Sequence, residues 1–178
     1  MQNASSLVIA ELKKDFPEIH TRILPVDSVI APARLKQAIR ELRPTMLLML
    51  GEAAGSREIR LETTAWNELD FRITDIAGRQ PRARPIRKDG PRSLPSTLPF
   101  DQIHALLAAA DHPVILSQDP GRYLCNQALY VALHFLTIQT QPCSAGFIHL
   151  PLEIHFPTDR AADAIRLILC ETLAEKAE

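Results

Sequence analysis

Residues 45–50 form an apolar run, Thr-Met-Leu-Leu-Met-Leu, that stops at Gly51. A strand wetted on one face alternates polar and apolar residues, whereas a continuous apolar run suits a parallel strand covered on both faces. Residues 113–116 read as a second buried strand, and 144–150 as a third candidate. Stretches with helical spacing lie between them. Ala4, Leu7, Val8 and Leu12 mark a short amphipathic helix. Leu35, Ala38, Ile39 and Leu42 mark another over 32–43, with Pro32 in its first turn. Ile103, Leu106, Leu107 and Ala110 give a third. Residues 121–138 are apolar on nearly every side and predict a central, well-covered helix. Ala161, Ala164, Ile165, Ile168 and Leu169 give a closing helix, and 22–26 is a brief strand candidate. Strands alternating with long helices predict an α/β fold, a three-layer α/β/α domain over 1–178 with a mostly parallel twisted sheet. Sites in such sheets lie at the carboxyl ends of the strands, here residues 51–57, 117–121 and 149–151.

A chain of 178 residues is the size of one ordinary domain. Lys and Arg number 20 against 21 Asp and Glu, a net charge of −1, which argues against a nucleic-acid coat or a polybasic membrane binder. No apolar run approaches the roughly 18–20 residues of a membrane helix. Met1–Asn3 followed by Ala4-Ser5-Ser6 lacks the basic start and apolar core of a signal peptide, so a cytoplasmic protein is expected. Residues 78–99 stand apart. They carry Pro81, Pro85, Pro91, Pro95 and Pro99 among Arg79, Arg82, Arg84, Arg87, Lys88 and Arg92. No regular helix survives that proline density. Without interleaved aromatics for base stacking, the segment reads as a long solvated loop rather than a nucleic-acid arm.

Cys125 follows the turn Ser117-Gln118-Asp119-Pro120-Gly121 at the start of the apolar helix. The partial positive charge of a helix N-terminus favours thiolate over thiol. Cys143 follows Pro142, and Cys170 falls in the apolar stripe of the last helix. Of six histidines, His149 ends an apolar strand and is expected at the mouth of the sheet, with His155 a weaker rival. A nucleophilic cysteine needs an imidazole to take its proton, and the imidazole needs an orienting carboxylate or amide. Glu52, Glu58 and Glu62 are the acidic candidates. Metal binding is disfavoured, because no His or Cys pair has ligand spacing.

At these residues the chain resembles the pyroglutamyl peptidase I (pyrrolidone-carboxylate peptidase) family. Three segments carry the likeness: residues 51–67, which open Gly51-Glu52-Ala53-Ala54-Gly55-Ser56-Arg57 and contain Glu62; residues 117–126 around Cys125; and Gly146-Phe147-Ile148-His149-Leu150-Pro151. Their order and spacing also match, with Cys125 63 residues after Glu62 and His149 24 after Cys125. The resemblance implies that Cys125 is the nucleophile, His149 the general acid and base, and Glu62 the carboxylate orienting His149. It makes Gly51, Arg57, Gly121 and Phe147 the substrate-binding candidates. It implies hydrolysis of an N-terminal pyroglutamyl (5-oxoproline) residue from peptides, with no metal or organic cofactor, by a homo-oligomer that binds neither nucleic acid nor membrane.

The chain also departs from the family pattern. Family members open with a strand and a Gly-Phe-x-Pro-Phe-Gly-Gly loop, and Asn3-Ala4-Ser5-Ser6 resembles the step after that point, so a shortened form with one strand fewer is expected. Glu52, Ala54 and Ser56 stand at Gln, Gly and Arg positions, with Arg57 one place late. Thr63 replaces a basic residue after the glutamate, and Pro120 removes a backbone donor before the cysteine. The alternative expectation is a catalytically weak or inactive homologue of the same fold with a binding or assembly role.

Overall fold

The run at 45–50 forms β1 (Met46–Glu52), which pairs in parallel with β6 (Ser144–Leu150) along its whole length. The computed structural model describes residues 3–174. The remaining elements are α1 (Ala4–Asp15), α2 (Ile30–Leu42), β2 (Ile59–Glu62), β3 (Thr64–Trp66), β4 (Ser93–Pro95), α3 (Phe100–Ala109), β5 (Val114–Ser117), α4 (Leu124–Ile138) and α5 (Thr158–Ala174). The main sheet runs β1-β6-β2-β5. Helices α1, α3 and α5 bury Val8, Ile103, Leu107 and Ile165 against Ile59, Leu61, Ile148 and Leu150 on one face. Helices α2 and α4 bury Leu35, Ile39, Leu129 and Leu133 against Met49, Ala145 and Phe147 on the other. This is the expected three-layer α/β arrangement.

Local chemistry sets the helix starts. The Asn3 side chain accepts the Ser5 N–H at 3.0 Å and opens α1. Asp27 accepts the Val29 and Ile30 N–H groups at 2.8 Å and opens α2. Those two backbone donors, more than any other contact, hold the Asp27 carboxyl below its usual range. Helix α4 begins three residues later than its apolar pattern, because Gly121 sits in the left-handed region at φ 78° within the turn after Pro120.

Three sequence expectations need correction. The sheet is mostly parallel, as expected, with β1–β6 and β2–β5 parallel; but β2 and β6 pair antiparallel, so the expectation of one carboxyl rim shared by all strands fails. Residues 22–26 form no strand. Val26 takes a loop hydrogen bond from the Ile76 N–H, and Ile23 is 71% exposed. Within 78–99 the loop reading holds for most of the segment, but β4 pairs antiparallel with β3, and Arg84 bridges Leu69. Some of its arginines fasten it down: Arg79 reaches Asp27 at 3.0 Å and Asp75 at 3.3 Å, and Arg82 reaches Asp70 at 3.5 Å. Among the described residues, no helix is long and apolar enough to cross a membrane.

Candidate active site

The antiparallel seam between β2 and β6 decides which side chains meet. Arg60 lies opposite His149, and Glu62 opposite Phe147. Directly opposed residues in an antiparallel pair point to the same face, and so do residues two apart on one strand. All four side chains therefore share the face covered by α4. Glu62 and His149 are diagonal neighbours, within reach for long side chains.

His149 Nδ1 lies 2.8 Å from Glu62 Oε1, with the histidine 6% exposed and the glutamate fully buried. Arg60 Nε donates to the same oxygen at 3.1 Å. Oε2 is buried without a protein partner in hydrogen-bond geometry, although the Ser117 hydroxyl stands beside the carboxylate and stabilises its charge. Burial alone would raise the Glu62 pKa. The hydrogen bond from His149, the neighbouring Ser117 hydroxyl, the charge of His149 and the Arg60 contact outweigh it and hold the carboxyl below its usual range. Burial likewise opposes a charged His149. Hydrogen bonding to Cys125 and to Glu62, with the charges of both, raises the imidazole to about 9. His149 is thus built to hold a proton between a carboxylate and a thiol.

Cys125 is the second residue of α4 and is half-buried. The Gln127 N–H bonds to the Tyr123 carbonyl, so the amides of Leu124, Cys125 and Asn126 lie ahead of the first helical bond. The preceding turn is pinned from several sides. Asp119 accepts from the Gly121 N–H at 3.1 Å, Trp66 Nε1 donates to the Gln118 carbonyl at 2.8 Å, and Tyr123 donates to the Thr74 carbonyl at 3.0 Å. Tyr123 also packs edge-on against Phe71, ring centroids 4.4 Å apart. Fully buried Asn126 clamps α4 to β3: it accepts the Trp66 N–H and donates to the Trp66 and Glu68 carbonyls.

The acidic candidates separate cleanly. Glu62 is on His149, Glu52 accepts the Ala4 N–H at the start of α1, and Glu58 is exposed. The substrate-binding candidates fall in different places. Gly51 pairs with His149 across β1 and β6 and lies against Cys125 Sγ. Phe147 is buried, its ring 4.8 Å from that of His149. Gly121 is exposed on the cysteine turn, and Arg57 is exposed before β2. The cation that reaches the carboxylate is Arg60, which sequence reading passed over. Its signal was simple: two residues before Glu62 on one strand is the same face. His155 is exposed and outside the cluster. Cys170 is also exposed, not packed in a stripe as expected.

A model of the pyroglutamyl peptidase family matches residues 3–164. A pyrrolidone-carboxylate peptidase from Brevibacillus brevis is 34% identical over 143 residues, 80% of this chain and 66% of the relative. One from Thermococcus litoralis is 37% identical over 133 residues, 75% of this chain and 60% of the relative. In sequence, then, the chain spans somewhat less than two thirds of the length of these two relatives. The solved structure of the Thermococcus litoralis pyrrolidone carboxyl peptidase superposes with a TM-score of 0.88 at 29% identity, covering 99% of this chain and 90% of that one. The Pyrococcus furiosus protein superposes at 0.87 and 26% identity, covering 97% and 91%.

Proposed function

The chain belongs to the pyroglutamyl peptidase family, and from that membership we propose that it is a cysteine peptidase removing an N-terminal pyroglutamyl residue from peptides. Cys125 is the nucleophile, His149 the proton carrier, and Glu62 the residue that orients His149. The observation that carries this reading is the buried imidazole held between the Glu62 carboxylate and the Cys125 thiol.

The steps follow from where the groups lie. His149 holds the proton given up by Cys125, and the thiolate attacks the carbonyl carbon that joins the lactam to the next residue. The oxygen that becomes negative is met by amides ahead of the first bond of α4, the Cys125 N–H among them. His149 passes its proton to the departing amine, the C–N bond breaks, and a thioester remains on Cys125. Water then gives a proton to His149 and adds to the thioester, and the C–S bond breaks to release pyroglutamate. Throughout, Glu62 accepts from Nδ1 and keeps the reacting nitrogen turned toward the sulfur.

The test is release of a fluorescent arylamine from its pyroglutamyl conjugate by the purified chain. Turnover that iodoacetamide stops and Cys125→Ser lacks, with the alanyl conjugate left intact, is the expected result. Absence of turnover in a folded, reduced sample overturns the reading.

A further inference from the structure

Arg60 touches three parts of the site at once. Its Nε donates to Glu62 Oε1 at 3.1 Å, and one terminal nitrogen donates to Ser117 Oγ at 2.7 Å and to the Asp119 carbonyl at 2.9 Å. Ser117 and Asp119 belong to the turn that leads into α4 and Cys125. Its side chain is 29% exposed, and its charged head lies beside a fully buried carboxylate. Thr63, the next residue after the carboxylate, donates its hydroxyl to the Ser117 carbonyl and brings no charge.

Counting charges shows what this cation does. The ionisable groups meeting around His149 are Glu62 and Arg60 from β2 and Cys125 from α4, while Gly51 of β1 and neighbouring Phe147 carry none. With thiolate and imidazolium present, the set of four is neutral. In the thioester stage, with His149 uncharged, Glu62 and Arg60 still cancel. Without Arg60 both stages would be negative, and in the second Glu62 would be a lone buried anion, which tends to take up a proton and cease orienting the imidazole.

We propose that Arg60 is a positioning residue of this site, keeping Glu62 ionised through both states of His149 and tying it to the turn that carries Cys125. The inference rests on the catalytic reading above, and deepens it with a residue that acts through Glu62. Arg60→Met keeps the stem and removes the charge. Arg60→Lys keeps a charge without the fork that spans Glu62, Ser117 and Asp119.

The experiment follows the His149 imidazole by NMR titration in the full chain, alongside pyroglutamyl-arylamide kinetics per reactive thiol. In Arg60→Met the titration midpoint should rise by about half a pH unit or more, because the carboxylate's charge is no longer shared. Its kcat should fall about tenfold while KM moves less than about twofold, since the loss lies in orientation rather than binding. Arg60→Lys should return most of the midpoint but only part of kcat. A midpoint in Arg60→Met equal to that of the parent chain overturns the inference, as does a lysine variant no better than the methionine one. If the parent chain releases no arylamine yet the midpoints shift as stated, the catalytic reading fails and the role of Arg60 toward Glu62 and His149 stands.

Discussion

Gly51 stands so close to Phe147 that a Cβ at position 51 would lie 2.6 Å from the ring's Cζ. The same Cβ would come within 3.1 Å of Cys125 Sγ. The Phe147 ring also packs against His149, ring centroids 4.8 Å apart. Gly51→Ala should therefore displace the ring that packs on the imidazole and crowd the thiol, costing about 1–3 kcal/mol of stability and most of the activity. Trimming the ring in Gly51→Ala/Phe147→Leu should restore stability toward the parent. Denaturant unfolding of the three chains checks this; a double variant no more stable than Gly51→Ala would count against the contact.

The His149 imidazole, ordinarily near 6.5, is raised to about 9 in the folded chain. A group raised on folding stabilises fully below its unfolded value, and that contribution drains away as pH climbs through the folded one. Stability should thus decline between about pH 6.5 and 9. Glu62→Gln removes one of the partners that raise it, so the decline should shrink and shift to lower pH. The same change should reduce kcat by roughly two to four orders of magnitude, as expected when a histidine loses its orienting carboxylate. Exposed Glu58→Gln should do neither. Unfolding curves across pH and arylamine release report both effects.

Cys170 is exposed and Cys125 half-buried, so accessibility alone does not favour the site cysteine. Iodoacetamide should label both. The discriminating result is functional: Cys170→Ser should keep a hydrolysis that iodoacetamide still abolishes, while Cys125→Ser should have none. Protection from inhibition in Cys170→Ser would reverse the assignment. Peptide mapping alongside the rate assay supplies the evidence.

Asn126 satisfies three backbone groups of Trp66 and Glu68 from a fully buried position. Asn126→Ala leaves them unpaired in the interior and should destabilise the chain by about 3 kcal/mol. Because β3 directly follows the strand that carries Glu62, activity should fall at temperatures where the fold itself persists. Thermal melts beside rate measurements would show whether the two losses separate.

The parts of the fold that were readable in advance are those where burial dominates. Ser144–Leu150 matches β6 residue for residue, and 45–50 nearly matches β1, because both are covered on two faces and their sequences show it. What escaped depends on pairing between distant segments. Nothing local in Ile59–Glu62 says that it runs against β6, nor that Ser93–Pro95 finds β3 amid prolines. Residues 22–26 have strand composition but no ladder, and composition alone could not say so. Within the site, His149 and Cys125 were legible from local position. Glu62 was singled out by family likeness; the spacing of Arg60 from Glu62 offered a same-face signal, but its place opposite His149 came only with the seam.

The seam has a consequence for how the chain finds its shape. Side chains alternate along β2, so sliding it one residue against β6 would turn Arg60 and Glu62 onto the face where Ile103, Leu107 and Ile165 pack. The Arg60–Glu62 pair would enter hydrocarbon without His149 and Ser117, the groups that satisfy it from neighbouring strands, a cost of several kcal/mol. The polar cluster therefore acts as a ratchet on assembly: the alignment that lets the strands close is the one that brings carboxylate, imidazole and thiol together. Substitutions that weaken Arg60 or Glu62 should accordingly widen the range of misaligned folding products as well as lower the rate of any reaction.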